Sequence, residues 1–216
     1  MAKLIQRTEK EFAWQNLADA VQDGSSGLKV GDEIADVVLK DGQKVTMQVA
    51  WVAEDGAAVK LISKNCLKEE YRMNEERTNK GGFPASDLFK KLQTEIFELL
   101  PDDLAAVVAD ETRQQMIDGE VVEYTCKLWL PTEKEIHGEN YFGEDEDDNT
   151  RQLPIFEDRR NRIKKLGENG EYTCWYWCDS PYASNTTIFC LVDYGGLAHG
   201  YGASTALGVP VCFTIK

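Results

Sequence analysis

Tyr172-Thr-Cys-Trp-Tyr-Trp-Cys-Asp-Ser-Pro-Tyr-Ala-Ser-Asn-Thr-Thr-Ile-Phe-Cys-Leu-Val-Asp-Tyr-Gly-Gly-Leu197 is the stretch whose reading decides the fold. Gly208-Val-Pro-Val-Cys-Phe-Thr-Ile215 completes it. Apolar residues alternate in short runs, and Gly, Asn, Ser and Pro break the runs. That pattern predicts several short antiparallel strands joined by turns. Strands are expected over 172–179, 188–192 and 209–215, with a turn at Asp193–Gly196. Trp175 and Trp177 would share one strand face as core anchors, with Cys174, Tyr176 and Cys178 on the other. Gly200 and Gly202 weaken the segment between as a regular strand and predict a loop packed close to another backbone.

Upstream, the order changes. Thr8-Glu-Lys-Glu11 reads as a capping box starting a helix that runs through Leu17 and Val21 to Gly24. Residues 28–39, 45–52 and 58–62 read as a three-stranded meander turned at Asp41-Gly42 and Asp55-Gly56, with Val45, Met47, Val49 and Trp51 on one face. Ser86 caps a predicted helix to Leu100, and Pro101 opens a short one reaching Val108. Lys127–Leu130 reads as a strand. Thr132-Glu-Lys-Glu135 is a second capping box, closed by Gly138. Phe156–Leu166 reads as a basic amphipathic helix. Helices and strands segregated in this way predict an α+β domain over 28–216, preceded by a helix and linker over 1–27.

The totals exclude several classes. With 216 residues and 42% hydrophobic content, the chain can bury an ordinary core. A net charge of −14 repels phosphate backbones, so nucleic acid is not expected as a partner. No apolar run reaches the roughly 20 residues of a membrane helix, and the charged N-terminal stretch does not read as a signal peptide. The expectation is synthesis in the cytoplasm, which is compatible with later incorporation in a virion. Cys174 and Cys178 are spaced C-x3-C, and His137 and His199 are not at metal-ligand spacing. Buried free thiols are expected, with no metal and no cofactor. The acidic run Glu144-Asp-Glu-Asp-Asp148 lacks EF-hand spacing and reads as a solvated loop rather than a calcium site.

Trp175-Tyr-Trp-Cys-Asp-Ser-Pro181, Phe189-Cys-Leu-Val-Asp-Tyr-Gly-Gly-Leu197 and Gly208–Ile215 together resemble a family of uncharacterised bacterial and bacteriophage proteins. Their ends read Trp-Trp-Leu-Arg-Ser-Pro, Val-x-x-x-Gly-x-Leu and Gly-Val-x-Pro-x-Phe-x-Ile. Leu61–Lys64, Leu128-Trp-Leu-Pro-Thr-Glu133 and Phe156–Ile163 extend the resemblance upstream. The ending also looks like the C-type-lectin-like fold of the formylglycine-generating-enzyme branch, which includes variable proteins diversified by retroelements. The usual Leu-Arg before Ser-Pro is Cys178-Asp179 here, so that arginine's role does not carry over. The branch's catalytic cysteines have no counterpart that can be placed, so its enzymatic activity is not implied. The resemblance implies short antiparallel strands with flanking helices and long loops.

Between the hydrophobic anchors sits a set of side chains suited to contact: Tyr176, Asp179, Tyr182, Ser184, Asn185, Thr186, Tyr194, His199 and Tyr201. Tyrosine supplies rigid contact area, and Ser, Asn and Thr supply adaptable hydrogen bonds. For each of them the alternative is an ordinary turn or loop residue. The chain is thus expected to be a non-enzymatic, phage- or prophage-encoded display protein. It would present a surface within 174–212, open to retroelement diversification, to a protein or cell-surface ligand. The alternative is a structural virion or prophage component without a specific ligand. Catalysis has the weakest support, because no nucleophile motif accompanies the two histidines.

Overall fold

The computed structural model describes residues 3–5, 9–11, 13–144, 150–167 and 170–216. The chain begins with β1 (Lys3–Ile5) and β2 (Glu9–Glu11), then helix α1 (Trp14–Gln22). The first helix therefore starts at Trp14 behind Ala13, and not at the expected box. Glu9–Glu11 pairs as a strand instead, and Thr8 and Phe12 lie outside the described residues. The meander follows as β3 (Glu33–Val38), β4 (Lys44–Val52) and β5 (Val59–Ser63).

An irregularity between Val49 and Trp51 reorients the end of β4. Val49 faces Leu61, but Trp51 faces Lys60, so one extra residue intervenes. Such a bulge reverses the alternation. Trp51 leaves the buried face of Met47 and Val49 and joins the face of Lys60, where it is half-buried.

Next come β6 (Tyr71–Arg72) and helix α2 (Asp87–Lys91), whose N-cap Ser86 accepts a hydrogen bond from Phe89 N. The helical path continues through a π turn (Leu92–Ile96) and a 3-10 turn (Phe97–Leu99). It buries Leu88, Leu92, Ile96 and Leu100, a stripe at four-residue spacing. Helix α3 is one turn (Asp102–Ala105). A hairpin absent from the sequence reading then appears, β7 (Glu111–Ile117) and β8 (Glu120–Cys126), turned at Asp118-Gly119 with both residues at positive φ. Lys127–Leu130 is not a strand. Trp129 there makes a single bridge to Cys212.

Helix α4 (Glu133–His137) carries the complete capping box of Thr132 and Glu135, and Gly138 ends it in the left-handed region. The expected basic helix is absent. Two 3-10 turns (Pro154–Phe156 and Arg159–Arg162) are followed by β9 (Lys164–Leu166). Asp158 accepts from Arg160 N, which closes a tight turn, and the chain then extends to pair with β10 (Tyr172–Cys174).

The C-terminal stretch holds β11 (Tyr176–Pro181), β12 (Ile188–Val192), β13 (Ala198–Gly202), β14 (Ala206–Leu207) and β15 (Cys212–Ile215). The expected strand over 172–179 is split at Trp175, which belongs to neither half. The segment with Gly200 and Gly202 is strand rather than loop. Its glycines pack closely against side chains rather than the expected backbone: a Cβ at Gly200 would lie 2.6 Å from the Tyr182 ring, and one at Gly202 would lie 2.9 Å from Arg77 Nε.

The largest sheet runs β15-β5-β4-β3-β1-β2, so the C-terminal strand completes the meander's edge. A second sheet is β11-β12-β13. The architecture is α+β, with small, mostly antiparallel sheets and few helices. One apolar cluster joins the elements. Trp14, Leu17 and Val21 of α1 belong to it, and Trp14 packs edge-on to Phe213 at 6.3 Å. Among the described residues, no helix is long and apolar enough to cross a membrane.

Candidate functional site

Alternation along β13 divides its side chains. His199 and Tyr201 lie on one face, paired across to Leu191 and Phe189. On that face the Trp175 indole meets three rings: Tyr194 at 5.4 Å, His199 at 5.1 Å and Tyr201 at 5.6 Å between centroids. Tyr194 is 57% exposed and Tyr201 46%, so the cluster is open to solvent. Leu197 beside them is exposed as well. The Trp175 Nε1 is buried and has no hydrogen-bond partner among the described residues.

The backbone beneath is fixed. Asp193 Oδ1 accepts from Gly195 N and Leu197 N, which closes the turn carrying Tyr194. Gly208 clamps the split strand, donating to the Trp175 carbonyl and accepting from Trp177 N. The splitting of the strand separates Trp175 from Trp177 and leaves it half-buried against the edge of the apolar cluster. Trp177 stays in the core, fully buried, and donates its Nε1 to the Tyr71 carbonyl at 2.9 Å. The two tryptophans thus do not act as a pair of core anchors.

The remaining expected residues lie elsewhere. Ser184, Asn185 and Thr186 are exposed in the loop joining β11 to β12. Tyr182 stacks on Phe142 at 5.2 Å and covers Gly200 from the face opposite His199 and Tyr201. The expected surface is therefore two patches on opposite faces of one small sheet. Asn79, unremarkable in sequence, organises the second patch: its Nδ2 donates to the carbonyls of Asn185 and Ile188 at 2.9 and 3.0 Å, and to Tyr182 at 3.3 Å.

Tyr176 and Asp179 are corrections. Tyr176 is fully buried and donates its hydroxyl to the Arg162 carbonyl. Asp179 is fully buried in an ionic network that sequence reasoning missed. Tyr124 donates to its Oδ2 at 3.1 Å, and the Arg113 guanidinium lies 3.8 Å away. Arg113 forms a two-pronged pair with Glu135 at 2.6 and 3.3 Å and stacks over Trp129 at 4.7 Å. Lys60 continues the chain, 3.1 Å from Glu111 and 3.9 Å from Glu135.

A cavity of about 560 Å3 opens over this network, walled by Trp51, Lys60, Glu111, Arg113, Glu135 and Gln152. Burial pushes the Asp179 carboxyl up to about 7, against the opposing pull of Arg113. Burial also opposes ionisation of Glu135, but Arg113 and Lys60 outweigh it and hold the carboxyl below its ordinary value. Each of these charges already has a counter-charge, so the network ties β5, β7, α4 and β11 together. Nothing in the sequence brought Arg113, Glu135 and Asp179 together, because they come from separate elements.

All six cysteines are free and buried, as expected of small hydrophobes. Asp145–Asp148 of the acidic run lie outside the described residues.

Residues 57–216 match the family described as Domain of unknown function (DUF6273). The chain belongs to this family. No curated protein and no solved structure matches it. The DUF6273 segment takes in both patches and the ionic network, while Trp51 and the first four strands precede it.

Proposed function

We propose that this chain is a non-enzymatic ligand-binding protein whose binding face is the aromatic cluster of Trp175, Tyr194, His199 and Tyr201. One observation carries the reading: three exposed rings converge on a tryptophan whose own indole N–H lacks a partner among the described residues. Exposed aromatic side chains on a fixed backbone lose little entropy on binding and supply large contact area. Tyr and Trp are also the residues that dominate binding energy at interfaces.

The proposal includes the finer features of the resemblance, namely a C-type-lectin-like scaffold and a phage- or prophage-encoded display role, with residues 174–212 open to diversification. Short antiparallel strands with long connections are in keeping with it. The ligand class is a protein or a cell-surface molecule. The test is a Tyr194→Ala/Tyr201→Ala variant compared with wild type by thermal melt and by binding to intact host cells. A folded variant that has lost the wild-type binding supports the proposal. A folded variant that binds as wild type does overturns it and favours a structural component without a specific ligand.

A further inference from the structure

Lys164 is fully buried, an uncommon place for an ammonium group. Its Nζ donates to the Ser63 carbonyl at 2.5 Å and lies 3.5 Å from the Lys64 carbonyl. Among the described residues no carboxylate pairs with it. The Nζ also lies 5.8 Å from the centre of the Tyr176 ring, and burial lowers the pKa of the ammonium. Lys164 and Cys174 face each other across the β9–β10 ladder, so their side chains share a face. The Cys174 Sγ lies 3.6 Å from the Cys66 Sγ, in hydrogen-bond contact. Gly208 leaves space for both sulfurs, since a Cβ there would come within 2.9 Å of Cys66 and 3.0 Å of Cys174.

We infer that Cys66 and Cys174 form a peroxide-sensitive thiol pair, a site of reversible oxidation to a disulfide, with Lys164 as the positioning charge. Cys174 is the attacking sulfur. The hydrogen-bond contact with Cys66 and the Lys164 ammonium lower its pKa, while burial raises that of Cys66. As a thiol, Cys174 donates to the Lys164 carbonyl at 3.7 Å, and loss of that proton to solvent arms the pair. Cys174 keeps 5% of its surface exposed, and Cys66 lines a cavity of about 180 Å3 beside Asn65, Gly167 and Gly170.

The chemistry balances with hydrogen peroxide as oxidant. The Cys174 thiolate attacks one peroxide oxygen, the O–O bond breaks, and the leaving hydroxide takes a proton from solvent to become water. Cys174 is now a sulfenic acid, oxidised by two electrons. The Cys66 sulfur displaces its hydroxyl: the S–S bond forms, the S–O bond breaks, and the Cys66 proton leaves in a second water.

The experiment treats the wild-type chain with equimolar hydrogen peroxide, then blocks remaining thiols in denaturant and maps linkages by mass spectrometry without reduction. The expected product is a Cys66–Cys174 disulfide, with Cys126, Cys178, Cys190 and Cys212 blocked as thiols. First oxidation at any of those four, or overoxidation of Cys174 with Cys66 still free, overturns the proposal. A Lys164→Met variant that folds should oxidise at least several-fold more slowly at the pair. An unchanged rate removes Lys164 from the account.

Discussion

The rings of Trp175 and His199 lie 5.1 Å apart and are tilted by 30°, on the solvent side of β13, only two residues along from the fully buried Trp177. Strict alternation would put both tryptophans on one face. The break between β10 and β11 separates their roles. Trp177→Ala should cost about 3–5 kcal/mol, the range for deleting a core aromatic. Trp175→Ala should cost clearly less and leave the fold intact. Urea unfolding of the two variants checks this, and equal losses would place Trp175 in the core.

Asp179 makes stability depend on pH. Its folded pKa of about 7 is raised by burial above an unfolded value of about 4. Between those values the folded chain holds a proton that the unfolded chain has lost. This contribution is complete below pH 4 and is lost as pH rises through 7. Asp179→Asn removes the titration, so the variant should gain on wild type as pH rises from 4 to 7. Thermal melts at each pH give the difference, and a gap that stays constant contradicts the assignment.

His137 acts in the opposite direction. Burial, and then the Arg162 charge, lower its pKa to about 4, and Arg162 donates to its Nδ1 at 3.2 Å. The folded chain keeps it neutral where the unfolded chain, with a value of about 6.5, takes a proton. Its contribution is complete above pH 6.5 and is lost as pH falls toward 4. His137→Gln should therefore flatten the acid side of the stability curve, measured by the same melts.

Asn79→Ala removes the side-chain donor shared by three loop carbonyls, each of which keeps one backbone N–H donor. The expected loss is about 0.5–1.5 kcal/mol, the net range for an intramolecular hydrogen bond. Amide exchange should quicken over 182–188 and stay unchanged in β13. Uniform quickening across the sheet would contradict a local role.

The parts legible in sequence are those set by neighbouring residues. Asp41-Gly42, Asp55-Gly56 and Asp193–Gly196 mark turns that form, and Thr132 with Glu135 marks α4. Asp118-Gly119 carries the same signal, but the polar β7 and β8 lack a clean apolar face, which hides the hairpin. The charge-rich run Phe156–Leu166 has the composition of a solvated helix face, yet pairing with β10 draws its end into a strand and buries Lys164. Tyr194, His199 and Tyr201 are exposed, and their types and turns in the sequence point to a surface position. The position of their centre, Trp175, is not legible, because it depends on the break that Gly208 clamps from a distant part of the chain.

The proposed binding face is tested by separating the two patches. Tyr194→Ala/His199→Ala/Tyr201→Ala alters one side of the β11-β12-β13 sheet, and Ser184→Ala/Asn185→Ala/Thr186→Ala alters the loop of the other patch. Both sets are exposed, and substitutions at such positions usually shift stability by about 0.5 kcal/mol or less each. Binding of wild type and the two triple variants to intact host cells is the measurement. The predicted result is binding lost in the aromatic variant and kept in the loop variant, with both folded. Binding kept in the folded aromatic variant would contradict the assignment of the Trp175 face as the binding surface.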